Sequence, residues 1–152
     1  MNVIFLDIDG VLRTDKSDRF WSKVLNQDIP TSIFDRKLSP TSIKILNEII
    51  LITDAKVVIT SMWRTVYDLD KLKSIFKDSG FKGEIVGETN QFGYRGEEIQ
   101  EWLDTNYIKK YVVVDDSVRD ILNHINTKRV IKIDPINGLD DTYFDRIVDL
   151  LL

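Results

Sequence analysis

Five short apolar segments, rich in β-branched residues and widely spaced along the chain, constrain the fold more than any other feature of the sequence. Each is bounded by polar or turn-forming residues, as expected of strands that are buried on both faces of a sheet. The segments cover residues 3–6, 57–59, 85–86, 111–114 and 130–133.

Helical patterns fill the intervals between these predicted strands. Apolar residues recur there at three-to-four spacing, as Ile43, Leu46 and Ile49 do, and this spacing is typical of amphipathic helices. The predicted helices cover residues 40–50, 68–76, 96–106, 117–125 and 140–152. The alternation predicts an α/β fold: a doubly wound, mainly parallel five-stranded sheet with helices on both faces.

Segment 12–39 interrupts this alternation. It is rich in charge, contains Phe20 and Trp21, and separates the first strand from the first long helix. We interpret it as a flap or small lid inserted after the first strand. A chain of 152 residues has the size of one domain, so we expect residues 1–152 to form a single unit.

The composition argues against several classes of protein. Lys and Arg total 21 against 25 Asp and Glu, and the formal charge of -4 argues against broad electrostatic binding to nucleic acid or anionic membranes. The absence of cysteine excludes disulfides, thiolate metal sites and thiol nucleophiles. The sequence shows no signal-peptide pattern and no apolar run near the roughly 20 residues of a membrane span. We therefore expect a soluble cytoplasmic protein without membrane contact, and no obligate protein partner is evident.

Side chains suited to phosphate chemistry follow three of the five predicted strands. Because the carboxyl ends of parallel strands meet at one edge of a sheet, we expect these groups to converge. In chain order they are Asp7-Ile8-Asp9-Gly10, Thr60-Ser61 and Asp115-Asp116.

The acidic residues fit a phosphoryl-transfer site that uses magnesium. Asp7 is a competent nucleophile toward a phosphoryl group only when a cation relieves the repulsion between the two anions. Mg²⁺ prefers carboxylate oxygens and water, so Asp7, Asp115 and Asp116 are candidate ligands. Asp9, two residues beyond Asp7, is suited to protonating a leaving oxygen. Gly10 permits a sharp turn of the backbone at the phosphate-binding edge.

Hydroxyl and basic residues complete the predicted phosphate site. Thr60 and Ser61 can hold phosphate oxygens where the chain leaves the second strand, and Arg64 follows closely. A cation beside the transferring phosphoryl group stabilises its negative charge. Arg95, just before a predicted helix, is the preferred candidate, and Lys82 is the alternative.

The order of these motifs resembles that of haloacid dehalogenase superfamily phosphatases, over about residues 3–120. The matching features are DIDGV, an apolar strand ending in Thr-Ser, a lone basic residue ahead of a helix, and VVVDD. The resemblance implies a Rossmann-like fold and a phosphatase that works through an aspartyl-phosphate.

The resemblance also implies roles for the matched residues. Asp7 would be the nucleophile. Asp9 would be the general acid/base, and its backbone carbonyl would also bind magnesium. Thr60 would supply the hydroxyl of the second motif, and Ser61 could share this role. Arg95 would be the cation of the third motif. Asp115 and Asp116 would be the acids of the fourth motif, with Asp120 outside them.

Two positions depart from the commonest family pattern. Val11 stands where threonine is most frequent. Arg95 stands where lysine is usual, and a planar guanidinium does not replace an ammonium without adjustment of its surroundings.

The short insertion and the aromatic residues bear on the substrate. Family members with small caps tend to accept larger substrates or polymer ends. The Ser-Met-Trp-Arg and Tyr-Arg-Gly-Glu-Glu-Ile stretches are similar to those of RNA-repair phosphatase domains and polynucleotide 3′-phosphatases. Aromatic faces can stack on a base and basic side chains can meet backbone phosphates. The candidates are Phe20, Trp21, Trp63, Tyr94, Arg13, Lys16 and Arg19.

The sequence thus predicts a magnesium-dependent phosphomonoester hydrolase that acts on a phosphorylated small molecule, such as a nucleotide, or on a phosphorylated nucleic-acid end. Two alternatives stay open. A receiver-like phosphoacceptor domain also uses an aspartate and magnesium on a doubly wound sheet, but it places paired acids after its first strand. A non-catalytic domain of the same fold could bind a partner through its flap.

Overall fold

The structure, a computed structural model, describes residues 1–26 and 37–152. Within these residues, five strands form one parallel sheet in the order β3-β2-β1-β4-β5. The strands are β1 (Asn2–Leu6), β2 (Lys56–Ile59), β3 (Ile85–Glu88), β4 (Lys110–Asp115) and β5 (Val130–Lys132). The helices are α1 (Asp15–Leu25), α2 (Pro40–Thr53), α3 (Leu69–Asp78), α4 (Arg95–Thr105) and α5 (Phe144–Leu151).

Two apolar cores cover the two faces of the sheet. Successive residues of a strand point to opposite faces, so Ile4 and Leu6 belong to one core while Val3 and Phe5 belong to the other. The first core packs under α2, α3 and α5, and the second under α4 and the segment that follows β4. The predicted α/β fold with helices on both faces is therefore confirmed, and every strand pairing in the described residues is parallel.

Local signals explain why helix α2 begins and ends where it does. The Ser39 side chain accepts a hydrogen bond from the Ser42 N–H, and Pro40 occupies the first turn, where its missing N–H costs nothing. The helix ends just before Asp54, whose backbone is left-handed with φ of 51°. The predicted helix is confirmed and runs on to Thr53.

Two helix predictions differ from the structure. Residues 117–125 form turns and a short 3₁₀ helix, Ile121–Asn123, instead of an α-helix. Ile121 and Ile125 are both buried, so short turns bury apolar residues at the spacing that a helix would give. The C-terminal helix α5 is preceded by a 3₁₀ turn, Asp141–Tyr143, and starts later than predicted.

Segment 12–39, predicted as a flap, contains helix α1. Thr14 caps this helix, because its side chain accepts from the Ser17 N–H while the Ser17 side chain accepts from the Thr14 N–H. Residues 27–36 of the predicted flap lie outside the described residues. Among the helices that the structure describes, none combines the length and apolar character of a membrane span.

The order of the strands fixes where a site can form. The chain runs outward from β1 through β2 to β3, then returns to lay β4 on the other side of β1. The chain therefore leaves β1 toward one face of the sheet and leaves β4 toward the other. This divergence opens a crevice at the carboxyl ends of the two strands.

Candidate active site

Strand register brings three of the predicted site residues level with one another. Leu6 lies opposite Ile59 of β2 and Val114 of β4, so the next residue of each strand reaches the same edge. These next residues are Asp7, Thr60 and Asp115. The Asp7 N–H donates to the Val114 carbonyl at 3.1 Å, and the Thr60 N–H donates to the Leu6 carbonyl at 3.0 Å.

Three carboxylates converge at this edge. Each of Asp7, Asp115 and Asp116 has an oxygen within 4.8 Å of an oxygen of the other two. Asp7 and Asp115 are buried and Asp116 is half-buried. Carboxylate oxygens at this spacing are the donors that a hard divalent cation takes.

The electrostatics of this cluster favour a cation. Burial, with the Asp115 carboxylate second, raises the pKa of Asp7 from its ordinary 3.8 to about 9. Burial also raises the pKa of Asp115, opposed by the Arg95 guanidinium. Buried negative charge that is incompletely compensated is costly, and a divalent cation would relieve that cost. The residues present therefore fit Mg²⁺.

Arg95 lies beside the acidic cluster. Its Nη1 is 2.6 Å from Asp115 Oδ2 and 3.6 Å from Asp7 Oδ2. Its backbone N–H, at the start of α4, donates to Asp120 Oδ2 at 2.8 Å. Asp120 therefore helps to hold the helix end that presents Arg95. Lys82 precedes β3 and so lies at the opposite, amino edge of the sheet, away from the acids.

The Asp9 side chain lies apart from the acidic cluster. It lines the same cleft, but its carboxylate is 49 % exposed and accepts a hydrogen bond from Arg13 Nη1 at 3.1 Å. The three-carboxylate group does not include it. A magnesium contact through the Asp9 backbone carbonyl stays a prediction.

Gly10 shapes the site through its backbone conformation. Its φ is +79°, and a Cβ there would lie 2.3 Å from Asp116 Oδ2. Its N–H already donates to the Arg13 carbonyl at 2.7 Å. Gly10 thus makes the sharp turn expected from the sequence and leaves room for the Asp116 carboxylate, while its contact with phosphate stays a prediction.

The structure places the two hydroxyl residues after β2 in different surroundings. Thr60 is fully buried, and its Oγ1 has no hydrogen-bond partner among the described residues. Ser61 lines the cleft, with its Oγ accepting from the Trp63 N–H at 3.1 Å. Of these two residues, Ser61 therefore lines the cleft and Thr60 does not, and a phosphate contact by either hydroxyl stays a prediction.

Arg64, predicted to bind phosphate, has a structural position. Its Nε donates to the Ser61 carbonyl and its Nη1 to the Thr89 carbonyl, both at 2.7 Å. Its Nη2 lies 3.2 Å from Glu98 Oε1, and both side chains of this ion pair are buried. Arg64 therefore ties the end of β2 to β3 and α4 through partners that are distant in sequence. It also lines the cleft, and its contact with phosphate stays a prediction.

The acids open into a cleft of about 620 Å³ with an apolar rim. Its exposed large side chains are Met62, Phe92 and Tyr94, which are 61, 56 and 66 % exposed. Tyr94 is among the residues expected from the sequence, whereas Met62 and Phe92 are not. Phe92 lies next to Gly93 in the polar turn between β3 and α4. An aromatic residue in such a turn is the sequence feature that could have identified Phe92 as part of the cleft.

Most other predicted base-stacking and phosphate-contacting residues lie elsewhere. Trp63 is fully buried, and Trp21 donates its Nε1–H to the Leu38 carbonyl at 2.9 Å. Arg13 is engaged by two acids. Among the described residues, the cleft lining does not include the rest of that set: Phe20, Lys16 and Arg19.

A family model described as the HAD domain in Swiss Army Knife RNA repair proteins matches residues 3–144. No curated protein and no solved structure matches the chain.

Proposed function

The chain belongs to the family of haloacid dehalogenase (HAD) domains found in Swiss Army Knife RNA repair proteins, and from this membership we propose that it is a magnesium-dependent phosphomonoester hydrolase. The observation that carries the proposal is the cluster of Asp7, Asp115 and Asp116 at the switch point of the sheet, with Arg95 beside it. Nucleophile, metal ligands and a cation for the phosphoryl group then share one edge.

Asp7 is the proposed nucleophile, with Asp7, Asp115 and Asp116 holding the metal. When bound there, Mg²⁺ supplies the positive charge that lets a carboxylate and a phosphate approach. Arg95 adds a second positive charge at the same place. The bond from phosphorus to the leaving oxygen breaks as the bond to an Asp7 carboxylate oxygen forms, which gives an aspartyl-phosphate.

Asp9 is the proposed general acid/base. It gives its proton to the leaving oxygen in the first step. In the second step it takes a proton from the water that attacks the aspartyl-phosphate, so Asp7 is regenerated and phosphate is released. It lines the cleft but lies outside the three-acid cluster, so its carboxylate is available for proton transfer.

The proposed substrate is a nucleotide or a phosphorylated nucleic-acid end. Exposed Phe92 and Tyr94 offer aromatic faces on which a base can stack within reach of the acids. The family is that of HAD domains in RNA repair proteins, which favours the nucleic-acid end.

Phosphate release from a substrate panel tests this proposal. The panel contains an aryl phosphate, mononucleotides, sugar phosphates and oligonucleotides phosphorylated at the 3′ or the 5′ end. We expect Mg²⁺-dependent release that Asp7→Asn lowers by about 10,000-fold. Asp78→Asn, which removes an exposed carboxylate at the end of α3, should leave turnover unchanged. No release from any member of the panel would overturn the proposal.

A further inference from the structure

Arg13 joins two carboxylates that the proposed reaction does not connect. Its Nη1 lies 3.1 Å from Asp9 Oδ1. On its other side, Nε lies 3.1 Å from Asp18 Oδ1, and Nη2 contacts Asp18 Oδ2. Asp18 belongs to helix α1 and has no part in the proposed chemistry.

The two halves of this bridge differ in burial. The Asp18 side chain is 3 % exposed and that of Arg13 is 12 % exposed, whereas Asp9 is 49 % exposed. A buried two-pronged pair of arginine and carboxylate fixes the planar guanidinium in both position and angle. An exposed pair is weak by itself. Arg13 is therefore held from α1, and Asp9 is the partner whose orientation depends on it.

The backbone reinforces this arrangement. The Arg13 carbonyl accepts from the Gly10 N–H at 2.7 Å, and the Arg13 N–H donates to the Ile8 carbonyl at 3.1 Å. The turn thus closes over residues 8–13, so Asp9 and Arg13 keep a fixed separation.

We infer that Arg13, anchored by Asp18, is a positioning residue for Asp9. The bond to Oδ1 leaves the second Asp9 oxygen available to the cleft. It also accounts for the separation of the Asp9 carboxylate from Asp7, Asp115 and Asp116, where it would compete for the metal. The inference rests on the proposed function, because it assigns Asp9 its orientation as the acid.

A leaving-group comparison distinguishes positioning from a general structural role. An alkyl leaving oxygen is strongly basic and needs a proton as the bond to phosphorus breaks, whereas a nitrophenolate leaves without one. Loss of Asp9 orientation should therefore lower kcat/KM for an alkyl phosphate far more than for an aryl phosphate. General damage to the site lowers both equally.

The experiment measures kcat/KM for p-nitrophenyl phosphate and for the best alkyl phosphate of the substrate panel. The variants are Arg13→Lys and the double variant Arg13→Gln/Asp18→Asn. The double variant leaves no unpaired buried charge and so protects folding, and thermal unfolding verifies this. We expect a fall of about 10-fold or more for the alkyl substrate and less than about 3-fold for the aryl substrate.

The Asp9→Asn variant shows whether Arg13 acts through Asp9. In that background, Arg13→Lys should cause no further loss with the alkyl phosphate, because the group it positions is gone. Equal losses for both substrates, or additive losses in the Asp9→Asn background, would overturn the inference while the proposed function stands. A wild-type protein that cleaves neither substrate would overturn both.

Discussion

The acidic cluster depends on one residue without a side chain. The Gly10 Cα lies against the Asp116 carboxylate, and its backbone is left-handed. A side chain at this position would meet both a conformational penalty and a direct clash. Gly80 also has positive φ, at +91°, but a Cβ there would meet nothing within 4 Å.

Gly10→Ala should therefore destabilise the protein and weaken magnesium binding together. Left-handed backbone costs an L-residue about 1 to 2 kcal/mol. Displacement of Asp116 should lower Mg²⁺ affinity by about 10-fold or more, as for other changes that disturb metal ligands. Urea unfolding and Mg²⁺ titration followed by isothermal calorimetry measure the two effects.

Gly80→Ala is the matched control for this prediction. It should lose a similar amount of stability through its backbone while binding Mg²⁺ like the wild type. If both variants bind Mg²⁺ equally well, Asp116 does not depend on the space that Gly10 leaves.

Single residues show where sequence reasoning ends. The positions of the acids followed from strand ends, and the structure brings Asp7, Asp115 and Asp116 together. Which of Thr60 and Ser61 faces the cleft was not readable, because the alternation of faces stops where the strand ends. The partner of Arg64 is Glu98, 34 residues away, and no local pattern announces that pair.

At the scale of elements, helix α4 carries Arg95 to the cluster. Gly96 lets this helix approach the segment after β4, since a Cβ there would lie 2.8 Å from the Asp120 carbonyl oxygen and 3.0 Å from Ile121 Cα. Those contacts are to backbone and cannot move cheaply. The position of Arg95 thus depends on a close approach between two elements.

Gly96→Ala should push α4 away from this segment. Overpacking costs about 1 to 3 kcal/mol, which exceeds the roughly 1 kcal/mol that alanine gains over glycine within a helix. We expect lower stability in urea unfolding and slower phosphate release.

Gly93→Ala serves as the control for Gly96→Ala, because its Cβ would meet only Glu97 Oε2 at 3.4 Å. Its stability in urea unfolding should match that of the wild type. Unchanged stability and turnover in Gly96→Ala would show that the approach of α4 does not set the position of Arg95.

Helices were predicted well where the apolar pattern is long and a capping residue precedes it, as in α2. Residues 117–125 show the opposite case. Their apolar spacing suits a helix, but successive turns bury Ile121 and Ile125 equally well. Spacing alone does not distinguish these two arrangements, because both place residues four apart on the same side.

At the scale of the whole molecule, the alternation of strands and helices predicts the fold class but not the order of the strands. That order sets the switch point between β1 and β4, where Asp7 and Asp115 become neighbours. The fold also explains the residue type at position 11. Val11 is fully buried in the core, and this burial explains an apolar residue where the family most often has threonine.

The pKa of Asp7 makes the stability of the whole protein depend on pH. Without metal, the folded state keeps a proton on Asp7 up to about pH 9, whereas the unfolded state loses it near pH 4. The folded state binds more protons between these values, so this contribution to stability falls as pH rises through that window. Mg²⁺ binds the deprotonated carboxylate and should therefore raise Tm more at about pH 8.5 than at about pH 5.5.

Thermal unfolding at the two pH values, with and without Mg²⁺, measures this effect. Asp7→Asn is the control, since it removes this titrating group and should make the pH dependence shallower, leaving the part that comes from the raised pKa of Asp115. An equal Mg²⁺-induced rise in Tm at both pH values would show that the metal does not displace a proton from the cluster.

The central claim is that Asp7 takes the phosphoryl group from the substrate. The most direct measurement is acid quenching during turnover, followed by mass spectrometry of peptides from the protein. We expect a peptide containing residue 7 that is heavier by one phosphoryl group, with that group on Asp7. This peptide should form only with Mg²⁺ and should be absent in Asp7→Asn. Turnover with no phosphorylated Asp7 at any quench time, or with the phosphoryl group on another residue, would contradict it.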